Sequence, residues 1–464
     1  MSRGTLFDKV WDAHVVEELA DGTTVLHVDR HLMHELTSVD AVAALERRKL
    51  PLRDPKLTFA NLDHVISSAP GRRAGDEAWS TEAVETFRAQ STRLGIDLFD
   101  VDDGRQGIVH VTAPEQGLSL PGTTVACADS HTCTHGAFGA IGMGMGSSEQ
   151  VQVMASQTLR QRKPGVMRIT LIGKPAPGTT AKDVILHVIG QLGVTGGNGH
   201  ALEYAGAVID GFDMEARMTL CNLSIELGAR VGMIAPDEVT FEYLHNRPYT
   251  PRGKDFAAAV DYWRTLRSDA DAVFDREAVV DIEGIGPQIT WGTTPEQVIR
   301  IDGTVPDPAA EPDPQRRATA QAALDYMRLR PLQVLAGTRI DRVFIGSCTN
   351  SRISDLRAAA AVARTGRVAP HVRAWVVPGS LLVREQAQRE GLHRIFLDAG
   401  FEWREPGCSM CVGANGDLGA PGERCVSTSN RNFVGRQGPG VMTHLASPAT
   451  AAASALAGAI RRSV

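Results

Sequence analysis

Three cysteines in this sequence have the spacing to hold a metal. Cys348 stands alone in Gly346-Ser-Cys-Thr-Asn-Ser351, and Cys408 and Cys411 form a C-x-x-C within Pro406-Gly-Cys-Ser-Met-Cys411. A cubane iron–sulfur cluster usually takes four thiolates. Three would leave one iron with a position open to water or substrate, and a metal with an open position is a Lewis acid. The chemistry indicated is polar catalysis rather than electron transfer. On spacing alone, half a zinc site and a redox dithiol stay open as alternatives. Context favours the cluster. Cys348 follows the apolar run Val343-Phe344-Ile345 and precedes a helix-like stretch from Ile353 to Ala363. That puts it at the carboxyl end of a strand, where α/β sheets bind their ligands. Pro406, Gly407 and Gly413 let the backbone turn tightly around a bulky group.

Several polar motifs accompany the cysteines: Leu62-Asp63-His64, Gly107-Ile-Val-His110, Ala128-Asp129-Ser130-His131-Thr132 and Cys221-Asn222-Leu-Ser-Ile-Glu226. An Asp beside a His can orient the imidazole and raise its pKa, which suits a proton donor near neutral pH. Asn222 and Glu226 are i and i+4, so on a helix they share a face. Downstream lies Ser429-Asn430-Arg431-Asn432-Phe433-Val434-Gly435-Arg436. Its two arginines, with Gly435 between them, can converge on one anion through carboxylate-matching guanidinium forks. Taken singly, each motif is weak, and an isolated Asp-His pair is more often structural. The case rests on their accompanying three thiolates.

Alternating strands and helices must position these groups. Strands are expected over 125–128 and 167–172 and again near 342 and 372. A helix is expected from Val184 to Leu192, and another over 214–228 with Asp213 as N-cap. The stretch from Asp302 to Arg316 reads as a surface connection and the Ala-rich end, 449–460, as a packed helix. Gly142-Met-Gly144-Met-Gly146 reads as close backbone packing rather than a dinucleotide-binding turn, because no strand immediately precedes it. Ser147-Ser148-Glu149 opens a helix to about Leu159. No tandem repeat is evident. Domain boundaries are expected near 174 and 286, giving domains 1–173, 174–285 and 286–464.

Composition narrows the class. At 464 residues with 43% hydrophobic and 22% charged residues, the chain suits a soluble protein with a large core. Its net charge is −6 and no basic tract is present, so no nucleic-acid partner is expected. It lacks an apolar run of membrane length and a signal-peptide core, and its seven cysteines are an odd, sparse set. A cytoplasmic, reducing location with no membrane partner is therefore expected.

Together these residues resemble the aconitase superfamily over essentially the whole chain. The match runs through Asp29-Arg-His-Leu-Met-His34-Glu35, Phe59-Ala-Asn-Leu-Asp63-His64, Ala128-Asp-Ser-His131-Thr and Met218-Thr-Leu-Cys-Asn222. It continues through Trp291-Gly-Thr, the two cysteine motifs and Ser429-Asn-Arg-Asn-Phe433. The resemblance implies an α/β fold of three domains, with mixed and parallel sheets flanked by helices around a central iron–sulfur cleft. It implies one 4Fe-4S cluster on Cys348, Cys408 and Cys411, with one iron not ligated by cysteine. Asp63, His64, His110, Asp129, His131 and Glu226 would handle protons and the leaving hydroxyl. His34, Ser130, Asn222, Asn430, Arg431 and Arg436 would hold substrate or cluster, with His34 where aconitases carry a Gln. The implied reaction is that of a hydro-lyase on a small dicarboxylic hydroxy acid, within the branch that acts on alkylmalates. In single-chain members a swivelling fourth domain supplies a catalytic serine. The sequence stops at Val464 without one, so a separate small subunit is expected. Two segments depart from that branch. Pro439, Val441 and Met442 stand where basic residues are usual, and Gln150 and Gln152 where E-V-E-H is usual. The alternatives are an RNA-binding regulator, disfavoured by the acidic balance, and a structural metal site, which a fourth ligand would close.

Overall fold

Strands and helices alternate along the chain in this computed structural model, which describes residues 4–463. Residues 1–3 of the N-terminal stretch and Val464 lie outside the described residues. Packing divides the chain into two compact units. Of the described residues, the first contains 4–65, 78–172 and 195–281, and the second contains 66–77, 173–194 and 282–463.

The first unit holds a five-stranded parallel sheet in the order Asp97–Phe99, Thr58–Asn61, Arg30–His34, Thr124–Cys127, Ile141–Gly144. The chain starts at the central strand, builds outward on one side, then returns to build on the other. A sheet built this way has a switch point between its first strand and the first strand on the other side. Ligands bind beyond the carboxyl ends of the strands there. A second parallel sheet has the order Val231–Ile234, His200–Ala205, Gly165–Ile172, Arg276–Asp281. In the second unit a third parallel sheet runs Glu402–Trp403, Arg373–Val376, Arg342–Ile345, Arg424–Ser427, Met442–Leu445. The two five-stranded sheets thus share one winding, a structural repetition with no sequence repeat to betray it. All three sheets carry helices in their connections, the fold class expected.

Apolar runs explain the strands. Val343, Phe344 and Ile345 are fully buried, as a strand covered on both faces requires. Phe344 packs with Trp375, Val377, Met410, Cys425 and Val441. In the first unit Leu32, Phe59, Phe99, Val109 and Val125 form the corresponding core. The glycine run at 142–146 is a close backbone approach, as expected, though it lies on a strand rather than after none. A side chain at Gly142 would meet the Thr132 carbonyl oxygen at 2.1 Å, and one at Gly144 the Asp129 carbonyl oxygen at 2.8 Å.

The helix Ala181–Leu192 and the Asp213 cap on Ala216 N–H (2.8 Å) match expectation. The helix after the glycine run ends at Ser156 rather than Leu159, because Gln157 turns left-handed. The stretch 214–228 is not one helix. It is α-helical over Met214–Asn222, then tightens to a 3-10 turn over Leu223–Leu227. Asn222 and Glu226 therefore do not share an α-helical face.

Candidate functional site

In the first unit the expected acids and bases gather at the sheet's switch point. His34 closes the strand Arg30–His34, Asp129 follows the strand Thr124–Cys127, and Asp63 and His64 follow Thr58–Asn61. His64 Nδ1 donates to Asp63 Oδ1 (2.6 Å), and Asp63 Oδ2 accepts the Val109 N–H (2.9 Å). Burial by itself raises the Asp63 carboxyl, but the charge and hydrogen bond of His64 hold it below the usual carboxylate range.

Asp129 is the hub. Its Oδ1 accepts from His110 Nε2 (2.8 Å) and from the His131 backbone N–H (2.7 Å), and its Oδ2 lies 3.5 Å from His64 Nε2. Burial alone would raise this carboxyl too. Hydrogen bonds from His110, His131 and His64 outweigh that and hold it well below the usual range. Because a carboxylate only accepts, it fixes the direction of a chain behind it. Ser119 Oγ donates to His135 Nδ1 (2.7 Å), His135 Nε2 donates to His110 Nδ1 (3.1 Å), and His110 donates to Asp129.

The His131 ring turns elsewhere, with Nε2 3.2 Å from Glu226 Oε1 and Nδ1 3.4 Å from Ser130 Oγ. The closest ring partner of Asp129 is thus His110, not the His131 two residues on. Asn222 is fully buried and donates to Thr134 Oγ1 (2.8 Å). His34 stacks on His64 with ring centroids 3.9 Å apart. Burial, aided by the charge of His64, pushes its pKa down to about 4.

In the second unit Cys348 sits at the same topological place, while Cys408 and Cys411 follow the edge strand Glu402–Trp403. Cys348 follows the strand Arg342–Ile345, and Asn430 and Arg431 follow the adjacent strand Arg424–Ser427. Cys408 and Cys411 bracket a single 3-10 turn, closed by Cys411 N–H donating to the Cys408 carbonyl (2.9 Å). All three cysteines are buried and none forms a disulfide. The Asn430 amide touches two of them, with Nδ2 3.4 Å from Cys348 Sγ and Oδ1 3.4 Å from Cys411 Sγ. Ser347 and Ser409, beside the cysteines, adopt the left-handed region (φ +84° and +47°), a strained conformation typical of sites. The seven cysteines include an obvious rival, Cys425, but it lies within the strand Arg424–Ser427 rather than on a turn, and burial pushes its thiol up to about 12. Arg436 lies over the Phe433 ring (5.5 Å), and its Nε is buried without a partner.

A profile of the aconitase family (aconitate hydratase) matches residues 8–458. The chain belongs to the aconitase family. Its similarity to one curated member is high: 3-isopropylmalate dehydratase large subunit 1 of Bradyrhizobium diazoefficiens is 58% identical over 456 residues, which is 98% of this chain and 95% of that protein. Among solved structures, the holo form of Thermococcus kodakaraensis aconitase X aligns with a TM-score of 0.47 at 10% identity. It covers 88% of this chain and 84% of that one, a likeness too distant to argue from.

Members of the aconitase family typically carry a 4Fe-4S cluster. The second unit's residues fit one. Buried free thiols lie on two turns, and Asn430, which follows a switch-point strand, touches one thiol from each turn.

Around these two clusters, each within its own unit, several buried charged residues escaped sequence reasoning. Glu35 is buried, and its carboxylate accepts the backbone N–H groups of His64 (2.8 Å), Val65 (2.7 Å) and Asp63 (3.1 Å), fixing the Asp63-His64 turn. Asp417 plays the same part for the C-x-x-C. It accepts from Ser409 Oγ (2.8 Å), Arg404 (2.8 Å) and Ser68 Oγ (2.5 Å). Lys182 is wholly buried behind the cysteine turn. Burial pulls its ammonium down to about 8 against the opposing pull of Asp355, Cys411 and Cys348. Glu35 stood beside a singled-out histidine, a signal that could have found it. Lys182 and Asp417 gave none, since charged residues in helices and loops read as solvated.

Proposed function

We propose that this chain is the large, catalytic subunit of a 3-isopropylmalate dehydratase. It would interconvert 2-isopropylmalate and 3-isopropylmalate by dehydration and rehydration, a step of leucine biosynthesis in the cytoplasm. The observation that carries this reading is the 58% identity to a protein of that name, spread over nearly the full length of both. Because that relative is named a large subunit, a separate small subunit is part of the proposal.

Cys348, Cys408 and Cys411 would hold one 4Fe-4S cluster with one iron free of cysteine. When bound, the cluster supplies a Lewis-acidic iron for the substrate's hydroxyl and carboxylate. The chain's own residues do the rest. His64 and His131 move protons, each oriented through a carboxylate: Asp63 and Asp129 for the first, Glu226 for the second. His110 joins the network through Asp129. Arg436, whose buried Nε lacks a partner, and Arg431 hold a substrate carboxylate. His34, Ser130, Asn222 and Asn430 hold substrate or cluster. In the same reading the chain forms three domains, 1–173, 174–285 and 286–464. The pairing of Gly165–Ile172 with strands after residue 199 favours moving the first boundary before Gly165.

Of the two departures from the alkylmalate pattern, the first buries Val441 and Met442 and exposes Pro439. Gln150 is buried too and accepts from Ser38 Oγ (2.8 Å). The test is an anaerobic assay of the chain with and without its small subunit, against 2-isopropylmalate, citrate, citramalate, benzylmalate and homocitrate. Turnover only with the partner, and best with 2-isopropylmalate, is expected. A preference for another alkylmalate would replace the substrate, and robust turnover by the single chain would overturn the two-chain reading.

A further inference from the structure

Lys182 sits on the helix Ala181–Leu192 and has no exposed surface. Its ammonium has three donors, and each has a partner: Asn350 Oδ1 (3.1 Å), the Thr428 carbonyl (2.9 Å) and the Ser429 carbonyl (2.7 Å). These partners belong to the Cys348 turn and to the turn that carries Asn430. Asn350 lies two residues after Cys348, and Ser429 precedes Asn430, the residue that touches Cys348 and Cys411. All three acceptors are neutral. A buried charge with neutral partners is costly unless an anion compensates it. Two nearby carboxylates, Asp355 and Asp183, supply part of that compensation, while each takes its hydrogen bonds from other groups. Asp355 accepts from Asn350 Nδ2 (2.9 Å), and Asp183 accepts from the Gln288 N–H (2.8 Å) and the Thr180 N–H (2.8 Å). Three thiolates outweigh the charge of an oxidised cubane core, so a cluster held by Cys348, Cys408 and Cys411 would be net anionic.

We propose that Lys182 is a positioning residue for the cluster, a buried counter-charge that also locks the Cys348 turn to the Ser429–Asn430 turn. The inference rests on the cluster reading above. A fixed positive charge beside the cluster favours its reduced, more negative state, so removing that charge lowers the reduction potential. A purely architectural tie would leave the potential where it was.

The test uses the full chain reconstituted anaerobically with ferrous iron and sulfide, comparing the parent with Lys182→Gln and Lys182→Met. Gln keeps hydrogen-bond donors without the charge, and Met removes both. Iron and sulfide content, thermal stability before loading, the spectrum of the reduced cluster and its reduction potential are measured. Both variants are expected to load, Met with the lower stability before loading. In both, the reduction equilibrium constant should fall by about tenfold or more, which is ~59 mV for one electron. An unchanged potential in a fully loaded Lys182→Gln protein would overturn the counter-charge role. Failure of both variants to fold or load would overturn it too, by making Lys182 purely architectural. If the parent itself takes up no iron, the cluster reading falls first and this inference falls with it.

Discussion

Replacing Asp129 with Asn tests the proton network at its hub. The side chain is only 20% exposed, so solvent screens its interactions little. Its Oδ1 takes two short hydrogen bonds, from His110 Nε2 (2.8 Å) and the His131 N–H (2.7 Å), and Oδ2 faces His64 Nε2 at 3.5 Å. Asn keeps one acceptor oxygen, loses the charge and turns an NH2 group toward an imidazole. A hydrogen bond to a charged group contributes ~1.5–3 kcal/mol against ~0.5–1.5 kcal/mol for a neutral one, so weakening two of them should cost about 2–3 kcal/mol of stability. The kinetic cost should be larger. With His110 stripped of its anion and His64 left with Asp63 alone, the barrier should rise by ~3–5 kcal/mol, lowering turnover by about 10²–10⁴.

The assay is steady-state dehydration by the loaded two-chain enzyme, with iron counted per chain so that a lost cluster is not mistaken for lost proton transfer. Stability should also change its pH dependence. The Asp129 carboxyl is depressed in the folded chain. Its contribution is therefore fully present above the unfolded carboxyl value of about 3.9 and is lost as pH falls through the folded value. The Asn variant should lack that acid limb. An Asp129→Asn enzyme with full iron content and turnover within about threefold of the parent would refute the reasoning, since the ~3–5 kcal/mol assigned to an oriented acid–base group would then be absent.

The thiol assignment predicts that Cys408→Ser loses iron and activity. Cys425→Ser should keep both, at a modest cost in stability, and total iron loss in Cys425→Ser would sink the assignment. Arg436→Lys should be costly in kcat/KM although the charge is kept, because a point charge cannot reproduce a guanidinium fork; unchanged kinetics would remove Arg436 from the site. The buried imidazoles of His31, His34 and His444 are pushed down to about 3, 4 and 3 by burial. They stay neutral in the fold, so their contribution is complete above the unfolded value of about 6.5 and is lost as pH falls toward those folded values. Tm measured in steps from pH ~7 to ~5 should therefore fall, and a flat profile would contradict these burial effects.

Where backbone conformation and burial follow from neighbouring residues, the sequence was informative. The run Val343-Phe344-Ile345 forms a strand ending at Ile345, and the helix after the Cys348 turn spans Ile353–Ala363, as its composition indicates. The glycines at 142 and 144 are required by a carbonyl lying against each. The choice of three cysteines from seven as proposed ligands rests on spacing and flanking turns, which are local properties. Which acid meets which base was not legible. Asp129 reaches His110, nineteen residues back, and His131 reaches Glu226, ninety-five residues on. Those meetings depend on the strand order that sets Arg30–His34 beside Thr124–Cys127, and on the 3-10 geometry of Ser130–Phe138 and Leu223–Leu227. Lys182 and Asp417 show the same limit. A charged residue in sequence has no way of declaring that it is buried, because burial is decided by segments packed against it from far along the chain.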